Sequence, residues 1–484
     1  MMNRNILFSI CLLFFLFLMI LAGCATKATV KPGTSLVTPE KPGTGEPGAE
    51  QPVPEKQPED PYRQIEELVT AGETGKALRV FENSIKEKAT SEDLSLFGLL
   101  LVSDGKFEEA KAAFLESLAL DPGNTEALYN LALYEGLSGD TKKQEEYLRS
   151  ILAGDPENAD AQAALGEILL DRKKTADAKQ VFTDALALDQ GSISARMGYG
   201  SVLMAEKNFM EAAKEFSAII AGSPDFMFAY IDRSRAYQGL EKFGEAETDL
   251  TAAIAIDPGY AWNYLDRGRL RVNRGKLYDA LGDFDKAIEL DEDNFFPYAY
   301  KAGILDDLGR VDEAVAAYRK VLELRGDYYF IYAPLGTLLY MRNQWDEAGS
   351  FFAKAYEFDK QSFEFVLLAG LCYKRGGNNT KSGEYLTKLL PTIPRESLYY
   401  HVARFLLEPG YDNQAIYYIS KEKDENMKTR MLFYLAASYV QQNRISLAQT
   451  YLLEVKDKSF PGMIEGRLAE WELAELQSPS ISGN

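Results

Sequence analysis

Histidine and cysteine are scarce in this sequence of 484 residues. The chain has one His, His401, and three Cys. A metal site built from several histidines therefore cannot form, and a Ser-His-Asp triad would have to use His401 itself. The sequence also has no glycine-rich phosphate loop after a strand and no cysteine pair spaced for a metal. We predict no catalytic residue, no cofactor and no bound metal, and we expect the protein not to be an enzyme.

Positive charge is also in short supply. The chain has 53 Lys+Arg against 73 Asp+Glu, which gives a formal net charge of -20. Such a field repels nucleic acid and anionic lipid headgroups, so we expect neither as a partner. Hydrophobic residues make up 46% and aromatic residues 12% of the chain, which is enough to build a core.

One strongly apolar segment lies near the N-terminus. Residues 6–21 carry no charge and follow Arg4, but sixteen residues are fewer than the ~20 that a membrane-spanning helix needs. The segment predicts an export signal, and an uncleaved anchor helix is the alternative. It ends in Leu21-Ala22-Gly23-Cys24, which resembles the signal motif of bacterial lipoproteins.

This resemblance implies that residues 1–23 are a signal peptide and that Cys24 is the lipidated N-terminus of the mature protein. The acyl chains would hold the protein on a membrane without a spanning segment. The resemblance implies a location in the cell envelope, and Ala25 favours the periplasmic side of the outer membrane. Cys11 would leave with the signal, so Cys372 is expected to be a small buried residue without a disulfide partner.

Proline is concentrated after this motif. Eight of the 19 prolines lie in residues 25–61: Pro32, Pro39, Pro42, Pro47, Pro52, Pro54, Pro58 and Pro61. We therefore predict residues 24–61 to be a lipidated cysteine followed by a flexible tether of up to ~3.1 Å per residue. A ligand for a proline-binding partner domain is the alternative.

From Ser91 to Glu396 the chain repeats every thirty-four residues, in nine units. The eighth position is small in every unit: Gly98, Ala132, Gly166, Gly200, Ser234, Gly268, Ala302, Gly336 and Gly370. Glycine within a helix costs ~1 kcal/mol relative to alanine, so a second helix is expected to lie very close. We expect the facing residue to be the small one at position twenty, which is Ala280 in the sixth unit. Apolar spacings of three, four and seven predict two amphipathic helices per unit and an all-α solenoid.

The units resemble the tetratricopeptide repeat family, whose pattern the unit 329–362 shows as Tyr332, Leu335-Gly336, Ala348, Phe352 and Ala355. The resemblance implies a right-handed superhelical solenoid of antiparallel helix pairs. Residues 62–90 are predicted to be a divergent pair and 397–462 two further divergent units, which makes about twelve units. Residues 463–477 are expected to be a solvating C-terminal capping helix, and 478–484 a polar tail.

The second position of each unit faces the binding groove in the tetratricopeptide family. It is acidic or polar in the first four units and then becomes aromatic in four: Phe228, Trp262, Phe296 and Phe330. A recurring motif beside it supplies two acid–arginine pairs: Asp232 with Arg235, and Asp266 with Arg269. We predict these eight residues as the candidate groove surface. The alternative is that the rings staple helix starts to the preceding turn, while an arginine of the motif bridges helices.

The resemblance implies a non-enzymatic scaffold that binds proteins or peptides along a concave groove lined by the first helix of each unit. Combined with the lipoprotein motif, it predicts a membrane-tethered adaptor of the bacterial cell envelope, whose partners are envelope proteins or peptides. A second hypothesis is a periplasmic transport accessory that delivers a small apolar ligand to a receptor.

Overall fold

The computed structural model describes residues 60–477. The predicted signal peptide, Cys24, nearly all of the predicted tether and the predicted polar tail lie outside the described residues. Within residues 60–477 the chain forms twenty-five α-helices and three short 3-10 helices, and no strand. The described residues divide into two compact units, with the boundary between Lys242 and Phe243.

The helices of the N-terminal unit are α1 (Pro61–Thr70), α2 (Thr74–Ser84), α3 (Ser91–Ser103), α4 (Phe107–Leu120), α5 (Thr125–Ser138), α6 (Thr141–Gly154), α7 (Ala159–Asp171), α8 (Thr175–Leu188), α9 (Ile193–Ala205), α10 (Phe209–Gly222) and α11 (Met227–Gly239). Those of the C-terminal unit are α12 (Phe243–Ile256), α13 (Ala261–Asn273), α14 (Leu277–Leu290), α15 (Phe295–Asp307), α16 (Val311–Leu324), α17 (Tyr332–Met341), α18 (Trp345–Phe358), α19 (Glu364–Arg375), α20 (Asn379–Leu389), α21 (Leu398–Leu407), α22 (Asp412–Lys421), α23 (Glu425–Gln441), α24 (Ile445–Lys458) and α25 (Ile464–Gln477). The 3-10 helices are Lys86–Lys88, Tyr329–Ile331 and Leu390–Thr392.

These helices follow the predicted thirty-four-residue period. The second helices of the nine units begin at residues 107, 141, 175, 209, 243, 277, 311, 345 and 379. The first helices of the first seven units begin at residues 91, 125, 159, 193, 227, 261 and 295. The prediction of an all-α solenoid of successive helix pairs is confirmed.

Local signals start the first helices. Asn124 accepts a hydrogen bond from the amide N–H of Ala127 at 2.9 Å, and Asn158 does the same for Ala161. Such caps stabilise a helix by about 1 kcal/mol, because they satisfy amides that have no partner inside the helix. The last residue of the turn between units is therefore also the N-cap of the next helix.

The turn inside each unit places one residue in the left-handed region of backbone space. These residues recur every thirty-four positions, with φ between 58° and 86°: Gly105, Gly139, Lys173, Lys207, Glu241, Gly275, Gly309, Asn343 and Gly377. Glycine takes this conformation without steric cost, whereas a residue such as Lys173 pays about 1–2 kcal/mol. Packing of the two helices, more than the turn residue, therefore sets the turn geometry.

Where the eighth position is glycine, its nearest atoms belong to the large residue at position twenty-four rather than to the expected position twenty, and this residue is a phenylalanine in five units and Leu386 in the last. A Cβ atom built on Gly268 would lie 2.6 Å from the ring of Phe284, at position twenty-four of the same unit. The equivalent distances are 2.4 Å from Gly98 to Phe114 and 2.5 Å from Gly200 to Phe216. Ala280 is itself fully buried. The ring of the second helix packs directly on the backbone of the first, so the glycine leaves room for the ring in these units.

In the later repeats of the C-terminal unit, the first helix of each pair is enclosed by protein. Leu338 and Leu339 on α17 are 0% exposed. The same holds for six hydrophobic residues between Val366 and Cys372 on α19 and for the five consecutive residues from Phe433 to Ala437 on α23. The last helix, α25, contacts α17, α23 and α24, and its Glu465 and Glu472 are each 1% exposed. It is therefore more than the solvating end helix that the sequence indicates.

The Gly268–Phe284 contact gives a prediction about local stability. Gly268→Ala places a methyl group inside the ring's contact distance, and such overpacking typically costs about 1–3 kcal/mol. The measurements are the free energy of unfolding and amide exchange, which we expect to accelerate first in α13 and α14 because repeat arrays are stabilised by nearest neighbours.

Gly282→Ala is the matched control, because Gly282 lies in α14 and a Cβ there meets no atom within 4 Å. This change should be neutral or stabilising by up to about 1 kcal/mol. Equal destabilisation by both substitutions would contradict the packing role of Gly268.

Candidate partner-binding surface

The four predicted aromatic residues lie at the starts of first helices. Phe228 is the second residue of α11 in the N-terminal unit. Trp262 and Phe296 are the second residues of α13 and α15, and Phe330 lies in the 3-10 helix that precedes α17. The last three all belong to the C-terminal unit.

A chain of ring contacts joins these three residues. The ring centroids of Trp262 and Phe296 are 6.0 Å apart, and Phe296 stacks on Phe295 at 4.2 Å. Phe295 contacts Tyr328 at 4.9 Å, and Tyr328 contacts Phe330 at 5.4 Å. Aromatic pairs at such separations attract each other beyond the effect of area burial. Two further rings therefore link the series: Phe295, the first residue of α15, and Tyr328, in the turn before the 3-10 helix Tyr329–Ile331. The thirty-four-residue spacing alone did not identify them.

The rings differ in how much of them is available to a partner. Trp262 and Phe296 are half-buried and pack against the hydrophobic core of the C-terminal unit. Phe228 is half-buried against a core cluster of the N-terminal unit. Phe330 is 62% exposed and rests on the rings of Tyr328 and Tyr329. Packing against the core therefore explains the positions of Trp262, Phe296 and Phe228. Phe330 is the most accessible of the four rings.

The predicted acid–arginine pairs form within single helices. Asp232 accepts a hydrogen bond from Arg235 at 2.5 Å on α11, and Asp266 accepts one from Arg269 at 3.4 Å on α13. Residues four and seven positions apart share one helix face, so Asp266 and Arg269 lie on the same side of α13 as Trp262.

Arg269 connects this face to the next repeat. Its guanidinium lies 5.5 Å from the centre of the Tyr300 ring on α15, a distance at which a cation is attracted by the face of the ring. Tyr300 is four residues after Phe296 and is 38% exposed. Trp262, Arg269, Phe296, Tyr300 and Phe330 thus form one surface, which we call the aromatic surface.

Space is left open within this surface. Gly303 follows Phe296 and Tyr300 on the same face of α15, and a Cβ built on it meets no atom within 4 Å. A glycine without a close neighbour is not required by packing inside the protein. The opening can accept a side chain of a partner beside the rings.

A second arginine of the recurring motif has a structural role. Arg267 donates to Asp283 at 2.7 Å, and the two side chains are only 14% and 4% exposed. Arg271 also pairs with Asp283 at 2.9 Å and with Glu247 at 2.9 Å. This network ties α13 to α12 and α14. The predicted helix-bridging arginine is therefore Arg267, whereas Arg269 points to the aromatic surface.

His401 and Cys372, the side chains considered for chemistry, are both buried in the protein. His401 is 8% exposed, with Nδ1 3.0 Å from the Tyr411 hydroxyl and its ring stacked on Tyr418 at 3.5 Å. Burial lowers the pKa of His401 and raises that of the fully buried Cys372 thiol. Within residues 60–477 no group of three or more His, Cys, Asp and Glu residues is placed to hold a metal ion. No helix in that range is long and apolar enough to cross a membrane.

Comparison with known proteins agrees with the repeat geometry. One family model described as tetratricopeptide repeat matches residues 96–159, 139–193 and 164–225. A second with the same description matches residues 229–260, 268–290 and 298–328. The chain is therefore a tetratricopeptide-repeat protein, with recognised repeats across residues 96–328. No curated protein matches it significantly.

Solved structures with similar architecture include a tetratricopeptide repeat protein from Parabacteroides merdae, at 20% identity and a TM-score of 0.42, covering 51% of this chain and 97% of the other. A thermophilic protein of the same class from Thermus thermophilus has 22% identity and a TM-score of 0.32, covering 38% and 99%. A human IFIT1 dimer with PPP-AAAA has 16% identity and a TM-score of 0.46, covering 68% and 81%. Likeness at this level says nothing of a shared partner.

Arg267 and Arg269 of α13 give a prediction that distinguishes a buried ion pair from an exposed one. Arg267→Met removes the closest donor to the buried Asp283 carboxylate and should lower the free energy of unfolding by about 2–3 kcal/mol. Arg269→Met removes an exposed pair, which should cost less than about 1 kcal/mol. Chemical denaturation of both variants tests this, and a larger loss for Arg269→Met would overturn the assignment.

Proposed function

We propose that this protein is a membrane-tethered scaffold of the bacterial cell envelope, which captures an envelope protein or peptide on its aromatic surface. Tetratricopeptide repeats are protein-interaction scaffolds, so partner binding is the function of the class. The tether, the envelope location and the use of this particular surface are what the proposal adds.

The observation that carries the proposal is the exposure of Phe330 at the end of a connected ring series. Trp262 and Phe296 are fixed by the core, so the surface is held rigid before a partner arrives. Rigid aromatic residues lose little conformational freedom on binding, and aromatic anchors often dominate interface energies. Phe330 has 62% of its surface exposed, so it offers the most ring surface for a partner to bury.

The polar groups of the surface add orientation. Arg269 is half exposed, at 49% of its side chain, and its pair with Asp266 is long at 3.4 Å. A guanidinium in this state can donate to a carbonyl or carboxylate of a partner without breaking a strong internal contact. The opening at Gly303 lies beside it on the next helix, so one partner segment can fill the space and accept from Arg269.

The support for tethering is in the sequence. The motif Leu21-Ala22-Gly23-Cys24 and the proline-rich residues 25–61 have the order expected of a lipid anchor followed by a spacer. Both lie outside the described residues. A scaffold held by such a spacer would reach partners at a distance from the membrane while remaining attached to it.

Phe330→Ala tests the role of the aromatic surface. We expect capture of the partner to weaken about 30-fold, which corresponds to an anchor worth about 2 kcal/mol. Thermal stability should hardly change, because Phe330 lies largely outside the core. Crosslinking in cells of the source organism, from a photoreactive residue at position 330 of the otherwise unaltered chain, identifies the attached protein. Co-purification of that protein with the Phe330→Ala variant and with the unaltered chain then compares their capture.

Tyr278 provides the matched control, since it is an exposed aromatic residue, at 72%, on the second helix α14. A photoreactive residue at position 278 should give no enrichment of the protein captured at 330, and Tyr278→Ala should leave capture unchanged. Equal capture from both positions would contradict the assignment of the binding surface.

Cys24→Ser tests the tether separately. Without the thiol that accepts the lipid, the protein should no longer sediment with membranes after a high-salt wash, and its circular dichroism should keep its helical signal. The control is Cys372→Ser, which removes a buried thiol and should leave membrane association intact. A Cys24→Ser protein that still sediments would contradict the lipid anchor without affecting the proposed partner surface.

A further inference from the structure

The C-terminal helix α25 lies across helices far earlier in the chain. Arg467 pairs with Asp306 on α15, with one hydrogen bond at 3.0 Å and a second shorter one. Glu472 accepts a hydrogen bond from Tyr340 on α17 at 2.5 Å and pairs with Arg375 at the end of α19. In a linear repeat array each unit contacts only its neighbours. The last helix therefore has contacts that the array itself does not require.

The contacts of α25 follow the pattern of a helix bound in a groove. Besides Gly466, its buried residues are Glu465, Leu468, Ala469, Glu472 and Leu473, with exposures of 1%, 0%, 0%, 1% and 6%. Their spacing of i, i+3, i+4, i+7 and i+8 is the spacing by which an amphipathic helix presents one face to a binding groove. The opposite side, with Glu470 and Glu475, is exposed.

The surface under α25 is built for this one helix. Trp471 lies 5.7 Å from the ring of Tyr340 and 6.3 Å from that of Trp345. Arg375 donates to the Tyr340 hydroxyl at 2.6 Å while it pairs with Glu472. Tyr434 on α23 donates to Glu465 at 2.7 Å. We call this surface, made by α15, α17, α18, α19 and α23, the helix seat.

The attachment is polar as well as apolar. The two glutamates are buried, and each is met by an arginine, Arg375 or Arg430. Much of the attraction within a buried ion pair is cancelled by the loss of hydration, so such pairs contribute little net stability compared with a well-packed apolar contact. A terminal helix held in this way opens more readily than the helices that it covers.

The connection to the rest of the chain permits such opening. Residues 459–463 join α24 to α25. In this loop Phe460 is 43% exposed and Gly462 has a φ of 91°. No other described helix follows α25, so its release need not move another described helix.

We propose that the helix seat is a second binding site, which α25 occupies as a resident ligand and which an amphipathic helix of a partner protein can take over. The partner helix would carry two acidic residues seven positions apart, small or apolar residues three and four positions after the first, and tryptophan at the sixth. This site is distinct from the aromatic surface and does not depend on it.

The test uses the full chain and a fluorescent synthetic peptide of residues 460–477 as the probe. In the unaltered protein, amides of α25 should exchange about tenfold or more faster than those of α23, because α25 opens locally. Arg467→Ala in the chain should raise both α25 exchange and peptide affinity about tenfold, since apparent affinity scales with the fraction of open sites. The peptide keeps its own arginine, so its intrinsic affinity is unchanged.

Two controls define the result. Arg319→Ala removes an exposed ion pair with Glu347 between second helices and should leave exchange and peptide binding as in the unaltered protein. A peptide with Glu465→Lys and Glu472→Lys should not bind. If α25 exchanges as slowly as α23 and no peptide binds, the helix is a permanent part of the fold and the proposal fails. Dimers that form by exchange of α25 between copies, without peptide binding, would also overturn it.

Discussion

The close approach of a large side chain of the second helix to the backbone of the first is the constraint on which the repeats depend. At Gly268 there is no room for even a methyl group beside Phe284, which limits how the two helices of the unit can meet. A phenylalanine makes the same contact with a glycine in five of the nine units, and Leu386 makes it with Gly370. Left-handed turn residues such as Lys173 show how firmly the pair is held, because they adopt an unfavourable backbone conformation to connect it.

The second helix packs against one side of the first helix. The opposite side of the first helix is therefore available for other contacts. In the C-terminal unit α13 and α15 use it to carry the aromatic surface, whereas α17 and α19 use it to receive α25. The motif of α13 shows the division within a few residues. Arg267 satisfies a buried carboxylate behind the helix, while Arg269, two residues later, extends over the ring of Tyr300 in front of it.

Local information in the sequence accounts for most of the fold. The thirty-four-residue period, the apolar spacings and the small eighth position predict two helices in each unit, because each depends on residues within one unit. The period also identified Trp262 and Phe296 as neighbours, and their rings are 6.0 Å apart. It named position twenty as the residue facing the glycine, whereas the nearest atoms belong to position twenty-four. Both positions lie on the same side of the second helix, and only the packed structure shows which side chain comes nearest.

The sequence by itself determined the repeat, its helices and the register that brings the second positions together, because these follow from short-range periodicity. Only the tertiary structure decided which of the predicted rings is exposed, and only it joined Arg467 to Asp306, which are 161 residues apart. Exposure and distant ion pairs depend on how the helices of many units pack together. No local pattern carries that information, because the packing sums small contributions from every unit between the two residues.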